Sequence, residues 1–288
     1  MTVRAIARYD WTRSRDAHQA AVHRRLDWYL DVRKRGESHP VVDFLFTYYR
    51  LSPAQLLRWH PGFGVELEDS HEYFDQRGYE TVGSRSRVSR EFLDRRIDTV
   101  RYVARLLAAT AGRSPLLGCF GLHEWAMVYR TDDVRHSAVP LRLGSAGTDA
   151  VVESLPLRCT HYDAFRFFTG PAGPRNVAEL SRESQVDHEQ PGCLHAGMDV
   201  YRFATKLLPL VDSELLWRAF ELAYSARELD MCASPYDLSV YGYEPVAIET
   251  AAGRAEYARR QAGLANAADP IRRALIERCD ALLEMHAE

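Results

Sequence analysis

Lysine is almost missing from this chain. Lys34 and Lys206 are the only two in 288 residues, so imine chemistry is confined to them or to the N-terminal amine. No apolar run approaches the ~20 residues that a bilayer-crossing helix needs, which argues against a membrane span. CxxC pairs are absent too. The five cysteines (Cys119, Cys159, Cys193, Cys232, Cys279) are widely spaced and odd in number. Such usage predicts free thiols in a reducing cytoplasm rather than a disulfide framework. There is no Gly-rich phosphate loop, no zinc-finger spacing and no internal repeat. Without a GxSxG elbow in a strand-turn-helix context, a Ser/His/Asp hydrolase is disfavoured. A net charge of -3 supplies no global basic field for nucleic acid, though it leaves room for a local basic groove.

What is present is helix after helix. With 46% hydrophobic residues the chain can bury a large core, and the expected fold is mainly α: a single multi-helix domain over residues 1–288 with few or no strands. The spacing predicts a surface helix over Arg13–Arg35 and a short helix started by Ser52-Pro53. It also predicts a long helix opened by Ser89 and running to Thr110. Asp69–Arg87 reads as a polar loop or flap, and Thr131–Gly147 as a loop. Thr148–Leu155 is either a short helix or an edge strand. Thr160 is expected to cap the next segment and Thr250 to cap a helix to about Asn266. Asp269-Pro270 is expected to start a separate last helix.

The central stretch, Glu183–Asp237, holds the chemistry. From Cys193 to Leu208 the pattern is helical, and His195, Asp199, Arg202 and Lys206 fall at i, i+4, i+7 and i+11, on one stripe. Charges there are costly to bury unless paired or ligated. The following helix closes on Asp230 and an Ala233-Ser234-Pro235-Tyr236-Asp237 turn. Elsewhere His123-Glu124-Trp125 interrupts an apolar run, and His161 and Asp163 sit among aromatics. Adjacent helical residues do not share a face, so at most one of His123 and Glu124 should point at any one site.

Three chemistries suit these residues. A carboxylate can stabilise an oxocarbenium-like state or activate water while aromatic rings stack an extruded base. A helix-borne histidine, with His195 best placed, followed by His123 and Glu124, can ligate haem or a divalent metal. The bland alternative is a non-catalytic binding module with a satisfied polar core.

Four segments, HPVVDFLFTYYRLSPAQLLRWHPG, EQPGCLHAGMDVYRFATKL, RELDMCASPYDL and PVAIETAAGRAEY, resemble a family of bacterial proteins of this length that carries the label 3-methyladenine DNA glycosylase. The resemblance runs from about His39 to the C-terminus. It implies hydrolysis of an N-glycosidic bond to a damaged or modified purine, in a DNA-repair setting and without a cofactor. Residue roles come from the central stretch itself: Asp230, Asp237 or Asp199 as catalytic carboxylate; Tyr201, Tyr236 and Trp125 as stacking rings; Arg202 and Lys206 on phosphate; His161 at the substrate. The alternative is an oxygenase for a small aromatic substrate, dependent on haem or metal. DNA or a small molecule is the expected partner, and the chain is compatible with a homodimer.

Overall fold

The computed structural model describes residues 4–133 and 139–288. Helices take 58% of the chain, so the fold is mainly α, with one small four-stranded sheet among the described residues. Residues 134–138 of the loop expected over Thr131–Gly147 lie outside the described residues. Cα proximity divides the chain into two compact units.

The first unit comprises Met1–Arg105, Val200–Glu221 and Ile271–Glu288. Its strands are β1 (Arg4–Ile6), β2 (Val65–Leu67), β3 (Tyr79–Val82) and β4 (Arg85–Val88), in the order β1-β2-β4-β3. β1 runs parallel to β2, and the other two pairs are antiparallel. The polar flap expected over Asp69–Arg87 is therefore a hairpin in this sheet. Val82 pairs with Arg85 across a two-residue Gly83-Ser84 turn, and Gly83 takes the left-handed φ of 64° that such a turn requires. The segment is too polar to read as a half-buried strand, because ion pairs line it. Arg87 meets Glu80 at 2.6 Å and Arg85 meets Glu66 at 2.9 Å.

Under the sheet, α1 (Arg8–Lys34) places Trp11 against Leu67 and Tyr73. The Trp11 indole N–H donates to the Glu68 carbonyl at 2.8 Å. Two short helices follow, α2 (Asp43–Thr47) and α3 (Pro53–Leu57). α3 starts where Ser52-Pro53 predicts: the Ser52 hydroxyl accepts from the Gln55 backbone N–H, and the Gln55 side chain accepts from Ser52. α4 (Arg90–Ala111) opens at Ser89, whose hydroxyl accepts the Phe92 N–H.

The second unit comprises Leu106–Asp199 and Leu222–Pro270. It holds α5 (Leu122–Ala126), α6 (Gly144–Ser154), α7 (Tyr162–Phe165) and α8 (Gln185–His188). It also takes the start of α9 (Leu194–Leu207), the end of α10 (Ser213–Cys232) and the first half of α11 (Ala251–Ala287). Of the helix-or-strand alternatives for Thr148–Leu155, the helix is the one that forms. α11 departs from expectation: Pro270 lies inside one continuous helix instead of starting a new one. Its start is as predicted, with the Thr250 hydroxyl accepting the Gly253 N–H. Thr160 does not cap α7; His161 stands at the N-cap position and makes no side-chain cap.

Candidate metal centre

All the groups of the centre belong to the second unit. The chain enters α5 through two consecutive left-handed residues, Phe120 (φ 49°) and Gly121 (φ 71°). A Cβ on Gly121 would stand 3.3 Å from the Ala233 Cβ and 3.4 Å from the Tyr257 ring, so both conformation and space call for glycine. This tight entry sets α5, with His123 and Glu124, against the last turns of α10. There Arg227 and Asp230, three residues apart, share a face. On α9, His195 and Asp199 share a face at i and i+4. His161 projects from extended backbone, which leaves its ring available to the centre. Glu189 follows α8 in an extended conformation.

The result is a row of three imidazoles between two sets of carboxylates. The His195 ring lies 4.4 Å from that of His123, edge to face, and 5.2 Å from that of His161, nearly stacked. At one end His123 Nε2 approaches Asp230 Oδ1 to 2.8 Å. At the other, His161 Nε2 lies 3.1 Å from Asp199 Oδ2 and 3.3 Å from Glu189 Oε1. Donor atoms of His123, His195 and Asp230 lie within 4.8 Å of one another, and so do those of His161, Glu189 and Asp199. Behind Asp230 one guanidinium N–H group of Arg227 bridges two acids, reaching Asp230 Oδ2 at 2.8 Å and Glu124 Oε1 at 2.9 Å.

Both His123 and Glu124 therefore reach the same Asp230–Arg227 pair. The expectation that only one of the two faces the site is corrected. On a helix of only five residues, neighbours 100° apart both point inward when the whole turn is buried, and all five residues of α5 are.

Electrostatics separate the three histidines. Burial opposes charging His123, but Asp230 outweighs it and raises the ring above its ordinary value. Burial likewise opposes charging His161, and the charges of Glu189 and Asp199 overcome it, pushing the ring up to about 9. His195 has no such partner in contact. Burial, reinforced by the neighbouring His123, holds it well below the normal imidazole value, so its ring is neutral and offers a lone pair. Burial works against ionising Asp230, yet His123 and Arg227 keep it below the usual carboxylate range.

His123 and His195 also line a narrow recess with Cys119, Cys159, Thr160 and Gln190. The Gln190 side chain folds its rim: its Oε1 accepts from the backbone N–H groups of Leu116 (2.8 Å) and Gly192 (2.7 Å). The recess leaves about 10 Å³ for the centre of a water-sized occupant, room for about one water or one ion. Burial raises the Cys119 and Cys193 thiols and takes Cys159 up to about 12, so all three stay protonated at neutral pH.

Of the residues singled out in the sequence, His123, Glu124, His161, His195, Asp199 and Asp230 converge here. The others lie elsewhere. Asp237 is partly exposed and accepts the Ser239 N–H at 3.0 Å in a local turn. Trp125 is fully buried, its indole N–H donating to the Ala233 carbonyl at 2.8 Å. Tyr236 is buried in a single antiparallel bridge to Leu141. Tyr201 lies in the core of the first unit, its ring edge-on to Tyr49 at 5.2 Å. In that unit the Arg202 guanidinium sits 5.9 Å over the Tyr48 ring, and Lys206 is exposed. Two members were not foreseen, Glu189 and Arg227. Their signals are readable in hindsight: Gln185 and Glu189 at i and i+4, and Arg227 and Asp230 at i and i+3, each pair bonded in the fold.

Compared with protein-family models, curated proteins and solved structures, the chain matches none, so the roles of these residues rest on their geometry and chemistry.

Proposed function

We propose that the second unit carries a divalent-metal centre ligated by His123, His195 and Asp230, and that the protein is a metal-dependent enzyme. The observation that carries this reading is the way His123 and Asp230 meet. Nε2 and Oδ1 are 2.8 Å apart, yet neither atom is in hydrogen-bond geometry with any partner. They pair through the charge of a protonated ring, and a divalent ion taking the place of that proton would be held by both lone pairs, with His195, neutral and beside His123, supplying a further nitrogen.

Two histidines and one carboxylate leave coordination positions open. That donor set serves ferrous oxygenases, and zinc enzymes that activate water. Arg227 holds the second oxygen of Asp230 and is itself held by Glu124, the outer support that fixes a ligating carboxylate in place. Glu124 thus acts one layer behind the metal. The size of the recess favours an ion over haem. The recess beside Cys119, Thr160 and Gln190 takes about one water, which suits a water-sized ligand at an open position, and five free cysteines suit a reducing compartment such as the cytoplasm.

Metal analysis of the purified chain tests this. The expected result is tightly held iron, manganese or zinc that is lost in His195→Ala and in Asp230→Asn. Protein that is metal-free and takes up none of these ions on reconstitution overturns it. N-Glycosylase action, implied by the family resemblance, uses the same acids. It is separated by release of free base from alkylated DNA in the presence of a chelator, where the metal reading expects none.

A further inference from the structure

We infer that His161, Glu189 and Asp199 bind a second divalent cation beside the first, so that the centre is dinuclear. This rests on the reading of the first site. Three features of the second set carry it.

The first feature is charge. Four buried carboxylates (Glu124, Glu189, Asp199, Asp230) gather round one guanidinium, that of Arg227, and the rings of His123 and His161. The other buried acid nearby, Asp163, has its own cations, Arg166 at 3.0 Å and Arg182 at 3.5 Å. Buried carboxylates need a compensating charge close by. At the second set that charge is the proton of His161 or, in its place, a divalent ion.

The second feature is the donor set. Glu189 and Asp199 both turn a carboxylate oxygen toward one ring nitrogen, His161 Nε2, in a place where every side chain is at most 3% exposed or nearly so. One imidazole with two carboxylates is a complete anchoring set for a hard divalent ion. The opposite ring nitrogen, Nδ1, is buried with no hydrogen-bond partner, so the ring is held through Nε2 alone, by the two carboxylates.

The third feature is continuity. α9 supplies His195 to the first set and Asp199 to the second, one turn apart on the same face, and the His195 ring stacks on that of His161. Neighbouring metals carried by one helix face would suit a dinuclear enzyme, in which two ions would polarise an attacking oxygen and a leaving oxygen. The substrate class that fits is a small molecule with an oxygen that can bridge or bind terminally at the pair.

The test uses the full chain, stripped with chelator and titrated with Mn²⁺. The expected result is two ions per chain and an exchange-coupled, multi-line paramagnetic resonance spectrum. Asp199→Asn and Glu189→Gln should each lower the ratio to about one and replace that spectrum with the six lines of an isolated ion. Circular dichroism of the stripped variants checks that they fold. If a variant does not fold, the wild-type ratio decides alone. A wild-type ratio of one, whatever the variants do, overturns the second site and leaves the first standing. A ratio of zero overturns both.

Discussion

Each unit buries histidines, and the two sets differ in what surrounds them. In the first unit His60 donates or accepts through Nδ1 to the Tyr79 hydroxyl at 2.9 Å, and His18 meets the Leu56 carbonyl at 2.8 Å. Neither ring is in contact with a carboxylate oxygen. Burial lowers both, taking His60 to about 3, and they serve as neutral hydrogen-bonding groups. In the second unit the same side chain, equally buried, stands against Asp230, or against Glu189 and Asp199, and its affinity for a proton rises. Burial alone makes histidine a neutral hydrogen-bonding group. Burial beside carboxylates makes it one half of an ion pair, and on our proposal a metal ion takes the place of its proton.

The largest way to break this contrast is to remove the guanidinium that supports the second set. Arg227→Met leaves Glu124 buried without its cation and Asp230 with His123 alone, and stability in denaturant titrations should fall by ~3–5 kcal/mol. A loss below ~1 kcal/mol would mean that the two acids do not depend on Arg227.

His60 supplies the next effect, in the opposite pH direction from a carboxylate-bound ring. Its folded value of about 3 lies below the ordinary 6.5, so the unfolded chain binds the extra proton. The stability is fully present above pH 6.5 and is lost as pH falls toward 3. At ~1.4 kcal/mol per unit, His60 accounts for up to ~5 kcal/mol of acid destabilisation. His60→Gln should flatten the stability profile of the wild type in that window. Equal slopes in the two proteins would show that His60 titrates normally.

Metal dependence should divide the two units. With free Mn²⁺ at about a hundred times its dissociation constant, the folded chain gains ~2.7 kcal/mol, read as a rise in Tm that a chelator reverses. His195→Ala should remove the share of the gain that the first ion supplies, and His60→Gln should leave the gain intact. Loss of the gain in His60→Gln would place the ion in the wrong unit.

The smallest effect is a control on the surface. Arg101 and Asp98 pair at 2.9 Å, three residues apart on α4, with both side chains more than half exposed. Arg101→Ala should change neither metal content nor Tm beyond error, because water screens such pairs.

Much of this was readable one residue at a time. Ser52, Ser89 and Thr250 announce helix starts because a cap is a contact within three residues. The pairing of His195 with Asp199 follows from 3.6 residues per turn. The hairpin at β3 and β4 was not readable, because its strands are stabilised by cross-strand ion pairs instead of an apolar alternation. Continuity of α11 through Pro270 was missed because proline's local veto is weighed against packing that no local window contains.

Sequence by itself determined that the chain is helical, where several helices begin, and which charged residues share a face. Only the tertiary structure decided which faces look inward. Asp230 and Asp237 are seven residues apart and equally plausible as acids in the sequence. One ends in a buried cluster and the other in a solvent-facing turn. The reason is distance along the chain: Asp230 is drawn into its place by Arg227, which bonds to Glu124 across 103 residues, and local spacing carries no record of such a partner.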